Sequence, residues 1–198
     1  DTVEALRGEA GDLWDSGRVA SDRTTQIVYE GKPLEPGQRA WWAVQVWNEE
    51  EAASGWSESA WWEAGLLNAA GWQGEWIGPP PRDATQSQPC PMLRKAFQTG
   101  GGIARARLYV TARGVFQASI NGRRVGEDAL TPGWTDFHQR LQYMTYDVTD
   151  LLQDGDNAIG VVLGDGWYSG YLATFSKAER GRYGRDPQLC LQLEVDST

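Results

Sequence analysis

Alternation of apolar and polar residues, in one strand-length run after another, constrains this chain more than any other feature. In residues 103–111, Ala104, Ala106, Leu108 and Val110 fall on one side, and Arg105, Arg107, Tyr109 and Thr111 on the other. A side-chain period of two is the geometry of an extended strand with two different faces. Phe116, Ala118 and Ile120 repeat the pattern, as do Leu189, Leu191, Leu193 and Val195, and residues 142–148 form a further extended run. Residues 158–163 are almost continuously apolar, as in a strand covered on both faces. Asn121-Gly122, set between two extended runs, predicts a tight hairpin, because both central residues of a type I′ turn need positive φ. Helix is expected only as a turn at Thr149–Leu152 and near Glu4–Asp12. With 24 glycines and nine prolines to punctuate the runs, the chain reads as all-β.

The runs fall into two groups. In the first, Thr25, Ile27 and Tyr29 alternate, and Trp42, Val44 and Val46 oppose Trp41, Ala43, Gln45 and Trp47. Glu49-Glu50-Glu51 then turns the chain into Gly55–Glu63. Residues 69–92 break the pattern with Trp72, Trp76 and the prolines Pro79-Pro80-Pro81, Pro89 and Pro91, and read as linker and junction. Residues 1–68 are expected to form part of one sandwich, and residues 93–198 a second one. The chain opens without Met and stops on its last strand, so it reads as a piece of a longer protein, with no address to give its compartment.

Several chemistries are excluded. There are 18 basic against 27 acidic residues, a net charge of −9, which opposes binding to a phosphate backbone. No apolar stretch approaches the length of a membrane-spanning helix. His138 is the one histidine, so neither a His-rich metal site nor a histidine-dependent nucleophile has much to draw on. No Walker loop or dinucleotide fingerprint occurs. Cys90 and Cys190 read as free thiols, and Asp154-Gly155-Asp156-Asn157 as a turn lacking the rest of a calcium loop. No catalytic residue is assigned.

What remains is an unusual density of tryptophan, eleven residues in 198. Sugars present apolar C–H faces that stack on indole and phenol rings, and hydroxyls that need amide, carboxylate and backbone partners. Two loops combine these types: Leu130-Thr131-Pro132-Gly133-Trp134-Thr135-Asp136-Phe137 and Leu163-Gly164-Asp165-Gly166-Trp167-Tyr168-Ser169-Gly170-Tyr171. The same tryptophans equally suit corners of a β-domain, and Asp165 equally suits a turn cap. The candidate carbohydrate-binding residues are Asn121, Trp134, Asp136, Asp165, Trp167 and Tyr168, with Asp165 also a candidate ligand for calcium.

These segments resemble a known family. Leu13-Trp14-Asp15-Ser16-Gly17, Trp41-Trp42-Ala43-Val44-Gln45-Val46-Trp47 and Trp56-Ser57-Glu58 are similar to the N-terminal fibronectin type III-like domain of bacterial α-L-rhamnosidases. Trp72-Gln73-Gly74-Glu75-Trp76-Ile77 resembles the junction after it. Thr111-Ala112-Arg113-Gly114-Val115, Ile120-Asn121-Gly122, Thr131-Pro132-Gly133-Trp134-Thr135-Asp136, Asp147-Val148-Thr149 and Gly164-Asp165-Gly166-Trp167-Tyr168 resemble the next domain. The resemblance implies a partial fibronectin type III-like sandwich followed by a jelly-roll-like, carbohydrate-binding-type sandwich. It implies a parent enzyme that releases terminal α-L-rhamnose with inversion, using two carboxylates in a helical barrel that would follow this segment. L-rhamnose or rhamnosylated glycans are the implied partners, calcium the implied ion in some members, and packing against the barrel the implied scaffold role. Two other readings fit the same features: a free-standing lectin-like module, and the sugar-binding domain of a β-galactosidase-type glycosidase.

Overall fold

The computed structural model describes residues 6, 11–81, 83, 88–172 and 180–197. The chain divides into two compact units, Asp1–Trp72 and Gln73–Thr198.

The second unit contains two antiparallel sheets. One has the strands β3 (Met92–Thr99), β8 (Gly155–Gly164), β5 (Val115–Ile120) and β6 (Arg123–Arg124), in that order. The other has β7 (Met144–Asp147), β4 (Ile103–Arg113) and β9 (Gln188–Ser197). The alternation decides what lies between them. Ala106, Leu108, Val110 and Ala112 of β4 meet Phe116, Ala118 and Ile120 of β5, with Ile159, Val161 and Leu163 of β8. Both sheets thus contribute their apolar faces to one core, the sandwich arrangement. Each fully buried Val, Leu or Ile stabilises it by roughly 1.5–3 kcal/mol. Asn121 and Gly122 adopt φ of 51° and 79° in the hairpin from β5 to β6, as an Asn-Gly turn requires. The expected turn of helix is present as a 3₁₀ turn at Thr149–Leu151.

Strand β4 departs from a simple in–out alternation. Its polar face is buried too: Arg107, Tyr109 and Thr111 are each almost fully enclosed. Arg107 is held by Asp147 at 2.8 Å, and the Thr111 hydroxyl donates to the Gln142 carbonyl at 2.6 Å. Residues 73–77 lie alongside β9. Ile77 and Leu189 exchange two backbone hydrogen bonds, Gln73 N–H donates to Gln192 Oε1 at 2.6 Å, and the Cys190 thiol donates to the Gly74 carbonyl. This covers part of an edge that would otherwise be open to other strands. Cys190 is buried, Cys90 is exposed, and both are free.

The first unit has one two-stranded sheet among its described residues, β1 (Arg39–Trp42) with β2 (Ala60–Glu63). Trp47 and Ala53 add an isolated bridge. The alternating run at 25–29 does not form a strand, because no neighbouring strand among the described residues offers it a ladder. Alternation alone does not make a strand without a partner for its backbone groups. The helix expected near Glu4–Asp12 falls largely outside the described residues.

Candidate carbohydrate-binding site

At the end of β8 the chain turns through Asp165 into a single helical turn, α1 (Gly166–Ser169). Gly166 has φ +51°, and a Cβ there would sit 2.8 Å from Val115 Cγ1, so the turn needs glycine for both conformation and space. Asp165 occupies the N-cap of α1 without making a side-chain capping bond. Its carboxylate is instead gripped by the Arg180 guanidinium, which is buried to nine-tenths. Arg180 in turn lies over the Tyr171 ring, 5.2 Å from its centroid.

Three segments bring their aromatic rings to this end of the sandwich. Trp134 and Trp167 lie parallel, with centroids 6.3 Å apart and planes 6° from each other. Phe137 packs edge-on against Tyr168 at 5.5 Å and Tyr183 at 5.1 Å, and His138 sits 5.1 Å from Tyr183. A Cβ on Gly184 would overlap the Tyr168 ring, so the close approach of the 180–184 segment depends on that glycine. The inner rings fix the three segments, while Trp134, 54% exposed, turns its indole outward.

The structure therefore joins Trp134, Trp167, Tyr168 and Asp165 in one neighbourhood. Asp136 shares the loop of Trp134, but its carboxylate accepts from His138 N–H at 3.1 Å and Gln139 Nε2 at 2.8 Å, which closes its own turn. Asn121 belongs elsewhere. It follows Ile120, which pairs with Ile159, five residues along β8 from Gly164, or about 17 Å at ~3.3 Å per residue. Its amide is also committed, donating to Asn157 Oδ1 at 2.8 Å and to the Leu151 carbonyl, while its Oδ1 accepts from Ala158 N–H. Asn157 is buried and bonds in addition to Thr99, Gln153 and Gly155, so the pair is a structural node beneath the hairpin.

The donor set around Asp165 does not suit calcium, the ion expected there. A calcium site gathers six to eight oxygens with enough negative charge to offset the ion. Here a guanidinium already neutralises the carboxylate, and among the described residues no three acidic, histidine or cysteine side chains converge anywhere.

Arg180, Tyr171, Phe137 and Tyr183 complete the neighbourhood and were not singled out as site residues in the sequence. Aromatic density marked the region, but nothing in the spacing of Asp165 and Arg180 signals an ion pair.

An antiparallel sandwich with an aromatic-lined end places the second unit in the jelly-roll-like class that includes lectin domains. Comparison with known proteins narrows this. Residues 101–198 match the family model described as the alpha-L-rhamnosidase N-terminal domain, and residues 2–68 the Rha78A-like, N-terminal immunoglobulin domain. Immunoglobulin and fibronectin type III domains share the sandwich architecture, so the second match agrees with the reading of the first unit. The chain belongs to the α-L-rhamnosidase family, as its N-terminal portion. It is 42% identical over 195 residues to an alpha-L-rhamnosidase of Formosa agariphila, covering 93% of this chain and 20% of the relative. The solved alpha-L-rhamnosidase of Dictyoglomus thermophilum is 34% identical with a TM-score of 0.80, covering 99% of this chain and 22% of that one. The Streptomyces avermitilis alpha-L-rhamnosidase, solved with L-rhamnose, shares the fold at a TM-score of 0.84 and 23% identity, over 100% of this chain and 35% of that one. The chain thus spans about a fifth of the length of the curated relatives it matches most strongly.

Proposed function

We propose that the second unit is a saccharide-binding module of an α-L-rhamnosidase, and that the parent protein hydrolyses terminal α-L-rhamnosyl groups. The segment itself is the non-catalytic N-terminal portion, and the hydrolysis belongs to the remainder of the protein.

The observation that carries the binding reading is the parallel Trp134–Trp167 pair with Trp134 open to solvent. A deoxyhexose such as L-rhamnose carries a methyl group and C–H faces that stack on an indole. The Asp165–Arg180 pair supplies a carboxylate oxygen and guanidinium N–H groups beside α1, suited to ring hydroxyls. Because Arg180 takes the place of a cation at the carboxylate, this binding needs no calcium.

Isothermal titration of the 198-residue chain with L-rhamnose tests the reading. Saturable heat at millimolar sugar, unchanged by a chelator and lost in Trp134→Ala, is the expected result. Absence of heat at tens of millimolar sugar (a weak-lectin range, above ~1 mM affinity) assigns the unit a scaffold role alone.

A further inference from the structure

The first unit carries an apolar sheet face that its own residues leave half uncovered. In β1 and β2 the register pairs Ala40 with Trp62 and Trp42 with Ala60, and directly opposed residues share a face. The ribbon continues beyond the two strands. Val44 and Val46 carbonyls accept from Ser57 and Ser54 N–H, and their own N–H groups donate to the hydroxyls of the same serines. At a period of two, Ala40, Trp42, Val44 and Val46 therefore lie on one side together with Trp62, and no charged residue interrupts them.

The opposite face has the character of a solvent face. Arg39 stacks over Trp61 at 4.0 Å and pairs with Glu63 at 3.4 Å, and Arg18 lies over Trp47 at 5.2 Å. Charged heads with their stems laid on rings can face water at little cost. The uncharged face has no such cover: Trp42, Val44 and Val46 are 44%, 49% and 62% exposed. An antiparallel sheet normally packs its apolar face on a core, and a two-stranded ribbon alone is marginal in water.

We infer that this face is one half of a sandwich core, and that the other half is a β-layer supplied by the residues preceding Asp1 in the parent polypeptide. Three observations select that occupant. The matched immunoglobulin model is of a two-sheet architecture, and the described residues of this unit supply a single two-stranded sheet. Residues from Gln73 onward form a separate sandwich with its own core, so they are committed elsewhere. A second strand-like stretch in the unit lacks a ladder as well: Ile27 and Val28 are exposed and unpaired in any sheet among the described residues. A face of Trp and Val without charge is complementary to the apolar side of another sheet, not to a hydroxylated sugar or an acidic partner.

The test compares the 198-residue chain with the same chain extended by the residues that precede it in its parent, each carrying Val46→Cys or Val44→Asp. Alkylation of Val46→Cys by iodoacetamide, located by peptide mass spectrometry so that Cys90 does not interfere, is expected to be roughly ten-fold slower or more in the extended protein, as for a thiol reached only by local opening. Val44→Asp is expected to leave the melting of the shorter chain unchanged and to lower that of the longer one by several degrees. Equal labelling rates with a harmless Val44→Asp in both proteins overturn the inference. Protection in the shorter chain that deepens with protein concentration also overturns it, assigning the face to a second copy. Protection that appears only when the polypeptide continues beyond Thr198 overturns it too, assigning the face to a later domain.

Discussion

The two units use the same sequence pattern with opposite outcomes. In the second, the apolar sides of β4, β5 and β8 meet each other, and Leu108, Val110, Ile120 and Leu163 lose all contact with water. In the first, Trp42, Val44 and Val46 alternate as regularly, yet stay about half exposed. The difference is the presence of a facing sheet. Alternation specifies which side of a strand seeks burial, and only a second layer delivers it.

The largest expected contrast is in the cost of trimming each apolar face. Leu108→Ala should destabilise the second unit by about 2–5 kcal/mol in denaturant unfolding, through lost transfer energy and a cavity. Val46→Ala should change the stability of the first unit by less than about 0.5 kcal/mol, since little is buried to lose. Comparable costs at the two positions would break the comparison.

Next in size is the polar node under the hairpin. Asn157→Ala strands the Asn121 amide and the Gln153 N–H, and should cost about 1–3 kcal/mol for groups left unsatisfied near the core. Differential scanning calorimetry should register this in the transition of the second unit and leave the first unchanged.

Dependence on pH sharpens the contrast further. Burial pushes the Asp147 carboxyl up, but hydrogen bonds from Thr149 and the charge of Arg107 outweigh it and hold the group below the usual carboxylate range. Its stabilisation is complete above the unfolded value, roughly 3.9, and is lost as pH falls through the lower folded value. Asp147→Asn should flatten the acid limb of the second unit's stability curve. The Tyr146 hydroxyl is pushed up to about 12, by burial first and then by its hydrogen bond to Asp128. That neutral form stabilises the fold below roughly 10, and the benefit disappears as pH rises through about 12. Tyr146→Phe should remove that alkaline loss, followed by circular dichroism at rising pH.

The smallest stability effect is expected at the candidate site. Trp134→Ala should alter unfolding by no more than about 0.5 kcal/mol, because the ring is largely exposed. The same substitution should abolish the L-rhamnose titration heat. A large loss of stability there would make Trp134 a corner residue, not a ligand platform.

How much of the fold was legible varied with the interaction involved. The β5–β6 hairpin was readable because Asn121-Gly122 is a local signal, resting on the backbone freedom of two residues. The inner face of β4 was readable because burial follows the period of the strand. The enclosure of Arg107, Tyr109 and Thr111 on its other face was not, since it depends on where Asp147 and Gln142 arrive. Likewise, the junction around Trp72–Ile77 reads as linker, but Gln73–Ile77 finds β9 through contacts over a hundred residues apart in sequence.

At the candidate site the division is the same. Gly164-Asp165-Gly166-Trp167-Tyr168 was conspicuous because a tight turn needs glycine and an exposed turn carrying Trp and Asp is uncommon in a plain scaffold. That Trp167 lies parallel to Trp134, that Asn121 lies at the far end of β8, and that Arg180 holds Asp165 were decided by the tertiary structure. The sequence by itself determined strands, turns, the polarity of each face and the family. Folding decided which faces found a partner and which side chains became neighbours, because stacking, pairing and desolvation act across space between residues whose separation along the chain carries no signal.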